Sequence, residues 1–156
     1  MKNQGYYFLY LNTSFKDIIS AINLGALKSI DDMEELADLV VRALDSLLDY
    51  QGYPIPAAKH ASLSRRTLGI GVINYAYYLA KNGVRYSDGS AKALTHRTFE
   101  ALQFYLMKAS AQLAEEQGAC PYFNETTYAQ GIMPTDTYKK ELDAVCDEPL
   151  HLDWDG

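Results

Sequence analysis

Two stretches of apolar residues recur at helical spacing, and they constrain the fold more than any other feature of the chain. Residues three or four positions apart share one face of an α-helix, so each stretch predicts a long helix with one buried stripe. The first stripe comprises Met33, Leu36, Ala37, Val40, Leu44, Leu47 and Leu48. The second comprises Leu94, Thr98, Ala101, Leu102, Tyr105, Ala109 and Leu113.

The residues that flank these stripes predict where the two helices begin and end. The first helix is expected to begin within Ser29 to Asp32, because Ser29 can accept a hydrogen bond from a backbone N–H of the first turn and acidic residues favour that end of a helix. It should end near Tyr50, because the following GYPIP segment holds two prolines and favours an extended path. The second helix should run from about Ala91 to Gln117, with Gly118 as the residue that ends it.

Weaker patterns predict the remaining elements. Tyr75 to Lys81 indicates a short helix closed by Asn82-Gly83, and Tyr86 to Ser90 has the composition of a turn. Ala57 to Arg66 is mixed and polar and is assigned no element. Met1 to Phe15 fits a strand or a disordered extension. The predicted fold class is therefore mainly α with one or two short strands. The chain lacks the alternation of strands and helices that is typical of a doubly wound sheet.

Two further helical segments are expected near the end of the chain. Thr126 to Ala129 fits one helical turn, and about Thr137 to Cys146 fits a last helix that starts after Pro134. Asp153 resembles the cap of another helix. This ending predicts that the chain is a piece of something longer.

The segment RRTLGIGVIN, Arg65 to Asn74, has two interpretations. A dinucleotide-binding loop needs GxGxxG after a buried strand and an acidic residue about 20 positions on, which Asp88 would supply. However, Asn74 stands at the third glycine position and the preceding SLSRR is polar. The favoured alternative is that Gly69 and Gly71 let an extended segment pass close to neighbouring atoms.

Charge and residue chemistry exclude several classes of function. A formal net charge of -6, without a basic stripe, argues against nucleic-acid binding, and no apolar run reaches the length of a membrane span. The cysteines and histidines are scattered, at Cys120, Cys146, His60, His96 and His151, so no metal or disulfide motif is formed. No catalytic, cofactor-binding or metal-binding residue is assigned, no cofactor is expected, and the chain is expected in the cytoplasm.

Six segments, in order, resemble the large (α) subunit of aerobic class I ribonucleotide reductase. The resemblance covers about Ala21 to Trp154, most of the chain. Its segments are AINLGAL, VRALDSLLDYQGYPIPAAK, RRTLGIGVINYAYYLAKNG, RYSDGSA, EEQGACPYFNETTYAQGI and EPLHLDW. It implies that the chain is a segment of the family's ten-stranded αβ-barrel, in which the glycines of GIGVIN serve packing and hold no nicotinamide. The division it suggests is an extension over residues 1–20 and a partial barrel domain over residues 21–156.

The resemblance also implies that the chain lacks the residues that carry out reduction. The radical cysteine and its partners lie upstream of the matched region in the family, and the phosphate-binding loop and C-terminal cysteine pair lie downstream. A redox cysteine of the family would fall at about Lys16-Asp17-Ile18, yet no cysteine precedes Cys120. Cys120 lies in the GACPYF loop, which is not a redox site in the family. The chain is therefore not expected to be active alone.

These implications leave three readings of the function. In the first, the chain is a reductase α-subunit fragment, such as the product of a split phage gene, that works in DNA synthesis with complementary α-subunit fragments and the small (β) subunit. In the second, it is a non-enzymatic module that folds or self-associates without them, its Tyr-rich first 20 residues covering the face that the missing barrel leaves bare. In the third, the chain is a dinucleotide-binding enzyme. This is disfavoured by Asn74 at the third glycine position and by the polar SLSRR segment before the glycines.

Overall fold

The structure is a computed structural model that describes residues 12–13, 18–137 and 146–154. Within these residues it confirms a mainly helical fold. The strands are β1 (Asn12–Thr13), β2 (Ile18–Asn23) and β3 (Leu68–Ile73). The α-helices are α1 (Asp32–Tyr50), α2 (Pro56–Arg65), α3 (Tyr75–Lys81) and α4 (Ala91–Gln117). Single 3-10 turns are formed by Leu24–Ala26, Phe123–Glu125, Tyr128–Gln130 and Pro134–Thr137.

The core lies where α1 packs against α4 and against one face of the sheet. Both predicted stripes point into it, and Met33, Leu44 and Thr98 are fully buried. Leu47, Leu94 and Tyr105 are half-buried at its margin. The bounds of α4 and the end of α1 agree with the sequence, because each apolar stripe has a helical period long enough to be unambiguous.

The first helix begins at Asp32, the last residue of the predicted start. Ser29 does not cap it: its hydroxyl donates to the Asp31 carboxylate at 2.9 Å and accepts from the Asp31 N–H at 3.2 Å. The Asp32 carboxylate instead accepts the N–H groups of Lys28 and Ser29, at 3.0 and 3.2 Å. These bonds stabilise a turn ahead of the helix, so α1 starts at Asp32.

The sheet contains one β–α–β unit that the sequence did not predict. β2 and β3 are parallel, with Ile18 opposite Leu68 and Asn23 opposite Ile73, and α1 and α2 connect them. β1 pairs antiparallel with the other edge of β2. Helix α2 occupies the stretch that was assigned no element. It has no continuous apolar stripe, and Pro56 at its first turn is the local feature that favours it.

Some of the predicted short elements are confirmed and others are displaced or lie outside the described residues. Helix α3, the turn over residues 86–90 and the glycine cap at Gly118 are confirmed. The single turn predicted at Thr126 to Ala129 is a 3-10 turn displaced to Tyr128–Gln130. The predicted last helix falls mostly on residues 138–145, outside the described residues. Most of Met1 to Phe15 also lies outside them, apart from β1.

Exposed ion pairs join α1 to α4. Arg42 donates to Glu116 at 2.6 and 2.8 Å and to Asp38 at 2.7 Å, and Lys108 pairs with Glu34 at 2.5 Å. The Arg42 guanidinium lowers the pKa of the Glu116 carboxyl, chiefly by hydrogen bonding. Such exposed pairs contribute little to stability singly, but they make it depend on pH.

Stability is expected to fall in acid. Four carboxyls, Asp32, Asp49, Asp88 and Glu116, have pKa values lowered in the folded state by hydrogen-bond donors from Lys28, Arg66, Ser90 and Arg42 respectively. A lowered folded-state pKa means that the unfolded chain binds protons first as pH falls. The urea midpoint should therefore be nearly constant above about pH 5 and decrease below about pH 4. Glu116→Gln should reduce the size of that decrease, and a midpoint that stays constant to about pH 3 would contradict the assignment.

Candidate functional site

The two faces of the β2–β3 sheet differ sharply in burial. On the inner face, Ser20 and Ile22 are buried, and Leu68, Ile70 and Val72 pack against the α1–α4 core. The alternate residues point to the opposite face. There Ile19 is 44% exposed and Ile73 is 37% exposed, beside the half-buried Ala21 and the exposed Gly71. Among the described residues this second face, hereafter the open sheet face, has no covering layer.

The outer edge of β3 is also unpaired within the described part of the chain. The strand order is β1-β2-β3, so only one edge of β3 has a hydrogen-bonded neighbour. An unpaired edge presents a row of backbone N–H and C=O groups to any incoming strand. The sequence of β3, LGIGVI, holds none of the charges or prolines that usually protect such an edge. The edge and the open sheet face together form a surface suited to further strands.

The carboxyl ends of β2 and β3 are linked by a hydrogen bond between the side chains of Asn23 and Asn74. Asn74 adopts a left-handed conformation with φ of 60°, and its amide donates to the Asn23 side-chain oxygen at 3.0 Å. That oxygen also accepts the Gly25 N–H at 3.1 Å. Asparagine tolerates positive φ better than most residues, which explains its place between β3 and α3.

The glycine that allows a close approach is Gly25, and not the predicted Gly71. A Cβ added at Gly25 would lie 2.7 Å from Cδ1 of Tyr77 and 3.3 Å from Cβ of Asn74. A Cβ added at Gly71 would meet only the Ser20 carbonyl oxygen at 4.0 Å. The expectation of a close approach is therefore wrong at Gly71 for the described residues, because a side chain there would point out of the open sheet face. At Gly69 the same expectation stays a prediction.

Gly25→Ala and Gly71→Ala should have opposite effects on the chain alone. The new methyl at Gly25 overpacks the turn and should cost about 1–3 kcal/mol of unfolding free energy. Gly71→Ala reduces backbone freedom in a strand and should stabilise by about 0.5–1 kcal/mol. Urea denaturation followed by circular dichroism measures both. Equal destabilisation by the two substitutions would show that the open sheet face is in fact covered.

The structure also argues against a dinucleotide-binding loop at GIGVIN. In that fingerprint the glycines lie in the turn between a strand and a helix. Here Gly69 and Gly71 lie inside β3, and the polar SLSRR before it forms the end of α2. The helix that follows, α3, has only seven residues. The backbone therefore brings no glycine-rich turn to a helix N-terminus at this point.

Arg66 and Arg65, adjacent in the sequence, have different environments. Arg66 has φ of 48° and ends α2, and its guanidinium donates to Asp45 Oδ1 at 2.6 Å and Asp49 Oδ2 at 2.8 Å. It also donates to the Asp45 carbonyl oxygen at 2.9 Å. Hydrogen bonding to Asp49 and Asp45 raises the pKa of Arg66, and Arg66 lowers the pKa of Asp49. This clamp fixes the start of β3 against α1.

The three histidines and two cysteines of the chain do not lie together at one place. His60 Nε2 lies 3.1 Å from the Tyr122 hydroxyl, and His151 Nε2 lies 3.3 Å from Glu148. Cys120 and Cys146 are free and half-buried. In residues 12–13, 18–137 and 146–154, no three His, Cys, Asp or Glu side chains are grouped to hold a metal ion. None of the helices in these residues has the length and hydropathy to cross a bilayer.

A parallel β–α–β unit, with helices on one side and an open face and edge among the described residues, is typical of αβ-sheet and αβ-barrel proteins. The chain belongs to the ribonucleotide reductase family: the family model of the ribonucleotide reductase barrel domain matches residues 18–156. The fold is therefore a segment of that barrel. The match starts at residue 18, the first residue of β2, and the boundary placed at residue 20 stays a prediction.

Curated relatives agree with this assignment. The chain is 72% identical over 138 residues to the ribonucleoside-diphosphate reductase subunit alpha of Haemophilus influenzae, covering 88% of this chain and 18% of that protein. It is 72% identical over 109 residues to the reductase 1 subunit alpha of Escherichia coli K12, covering 70% and 14%. The Enterobacteria phage T4 subunit is 48% identical over 124 residues, covering 80% and 16%. The chain thus spans less than a fifth of the length of these relatives.

Proposed function

We propose that the chain is a barrel segment of a ribonucleoside-diphosphate reductase α subunit that works in the cytoplasm only after it joins complementary α-subunit segments. The assembled enzyme would reduce ribonucleotides to deoxyribonucleotides for DNA synthesis. The observation that carries the proposal is the open sheet face together with the β3 edge, which is unpaired in the part of the chain that the structure describes. The matched region also makes up only 18% of the Haemophilus influenzae subunit. No catalytic residue is assigned to the chain itself.

The physical drive for assembly comes from that surface. Covering Ile19, Ala21 and Ile73 would remove apolar area from water, which is favourable by about 25 cal/mol per Å². A parallel strand added to the edge of β3 would satisfy its outward-facing N–H and C=O groups. Gly71 leaves room above the strand, so side chains of a covering layer can approach the backbone closely.

The expected partners follow from the same assignment. Complementary α-subunit segments would supply the neighbouring strands and the reactive residues. The relatives are named as α subunits, so a small (β) subunit is proposed as the partner of the assembled α chain. An independent module that folds without these partners is the outcome that would replace this proposal.

Complementation tests the proposal directly. The Haemophilus influenzae α subunit would be produced as two pieces that flank its 138-residue matching region, and this chain would be added with the β subunit. Co-elution of the three α pieces, with restored ribonucleoside-diphosphate reduction, is the expected result. Ile73→Asp, on the open sheet face, should abolish co-elution, whereas Leu39→Asp on the exposed side of α1 should not.

Two results would distinguish the alternatives. Folded pieces that never co-elute would contradict assembly and leave an independent module. Co-elution without activity would support assembly but contradict the proposed contribution to reduction.

A further inference from the structure

The two edges of β2 are paired over very different lengths. On one side, β3 lies opposite all six residues of β2. On the other side, β1 lies opposite only two of them, with Asn12 facing Ile19 and Thr13 facing Ile18. In the described part of the chain, residues Ser20–Asn23 therefore have no strand neighbour on the side of β1. Most of this second edge, hereafter the β1-side edge, is open.

The strand on the β1-side edge does not belong to the family's barrel sequence. The model of the ribonucleotide reductase barrel domain matches residues 18–156, which include β2 and β3 and exclude β1. A closed barrel has no free strand edges, so each of its strands has a neighbour on both sides. β2 therefore needs a second neighbour when the barrel is complete. In the free chain β1 takes part of that position.

The short pairing holds β1 weakly. In antiparallel strands, opposed residues alternate between pairs that exchange two backbone hydrogen bonds and pairs that exchange none. Only one of the two opposed pairs between β1 and β2 can therefore exchange backbone hydrogen bonds. A strand along all six residues of β2 could form about three times as many bonds. A longer strand is thus the stronger partner for this edge.

We propose that the β1-side edge of β2 is a second assembly edge, which a strand of a complementary α-subunit segment takes over as the barrel closes. The incoming strand would pair first with Ser20–Asn23, where the edge is open, and would then extend towards Ile18 and displace β1. Until then, β1 shields one end of an edge that would otherwise be available to unrelated strands. This inference rests on the proposed function, in which complementary segments complete the barrel.

Two variants of the full chain separate the backbone of β1 from its side chains. Asn12→Pro with Thr13→Pro removes the backbone N–H of both residues, so the N–H that donates to β2 is lost whichever residue carries it. Asn12→Ala with Thr13→Ala keeps both N–H groups and is the matched control. Each chain is titrated into the two flanking pieces of the Haemophilus influenzae α subunit, and the fraction that co-elutes is measured.

The proline variant should reach half-maximal co-elution at a concentration about three- to tenfold lower than the alanine variant or the wild-type chain. The reason is that the incoming strand no longer has to replace the hydrogen bonds of β1. Co-elution of the proline variant alone would support the proposal still more strongly. An equal or higher concentration for the proline variant would overturn displacement and leave assembly supported. Failure of all three chains to co-elute would contradict assembly and displacement together.

Hydrogen exchange of the wild-type chain, read by mass spectrometry at single residues, reports displacement directly. In the free chain, the amide hydrogen of either Asn12 or Thr13 should exchange more slowly than in an unfolded peptide. In the assembled complex that amide should lose its protection, whereas the amides of Ser20–Asn23 should gain protection from the new strand. An Asn12 or Thr13 amide that stays protected in the complex, or that is unprotected in the free chain, would overturn the proposal.

Discussion

Arg66→Ala is expected to lower the free energy of unfolding by about 3–5 kcal/mol, because it removes one partner of a mostly buried ion pair. The Arg66 and Asp45 side chains are only 23% and 12% exposed. Removing the guanidinium would leave the Asp45 carboxylate in a mostly buried position without its partner. Alanine keeps the Cβ at the left-handed position, so backbone strain at φ of 48° does not change.

Arg65→Ala is the matched control for this prediction. Arg65 is the preceding residue, and its side chain and that of its partner Glu125 are 53% and 57% exposed. An exposed pair is worth about 0–1 kcal/mol, so Arg65→Ala should leave the urea midpoint almost unchanged. The Arg65 guanidinium carbon also lies 5.3 Å from the centroid of the Tyr122 ring. Loss of this exposed contact should add at most a few tenths of a kcal/mol to the destabilisation. Equal losses at the two arginines would show that the Arg66 clamp is not the stabilising element.

Leu44→Ala is expected to cost about 2–5 kcal/mol, because it empties a fully buried site between α1 and α4. Leu44 is 0% exposed and belongs to the main core cluster. Since α4 and the sheet both pack against α1, the cavity cannot close without moving two elements. Thermal and urea denaturation of the chain measure the loss.

Leu39→Ala supplies the control for the core substitution on the same helix. Leu39 is 61% exposed, so its truncation removes little buried area and should cost less than about 0.5 kcal/mol. If Leu39→Ala destabilised as much as Leu44→Ala, the side of α1 that bears Leu39 would have to be covered in solution. That result would point to self-association and would be checked by sedimentation velocity.

The local pattern of apolar residues was sufficient to predict the two long helices, but it was insufficient to predict the sheet. The stripes of α1 and α4 encode their buried faces in residues three and four positions apart, so the sequence alone predicts them. The pairing of β2 with β3 joins residues 50 positions apart. The spacing of apolar residues within either strand gives no information about such a distant partner. Helix α2 was missed for a related reason: Ser62 and Ser64 are its buried residues, and serine does not mark an apolar face.

For the candidate site, too, some features could be predicted from the sequence and others could not. Sequence motifs identified the family, which the match over residues 18–156 confirms. They did not identify the open sheet face, since exposure of Ile19 and Ile73 depends on which elements cover the sheet. They also assigned no role to Glu100, a buried carboxylate whose donors His151, Leu152 and Trp154 reach it only through tertiary contact.

By itself, the sequence determined that this chain is a mainly helical member of the reductase family, because helical period and motif order are properties of neighbouring residues. Only the tertiary structure decided which of two adjacent arginines is a clamp, which glycine is tightly packed and which sheet face is open. Arg65 and Arg66 are chemically identical, as are Gly25 and Gly71. Their roles differ because burial and hydrogen-bond partners come from residues far away in the chain, whose positions are set by packing.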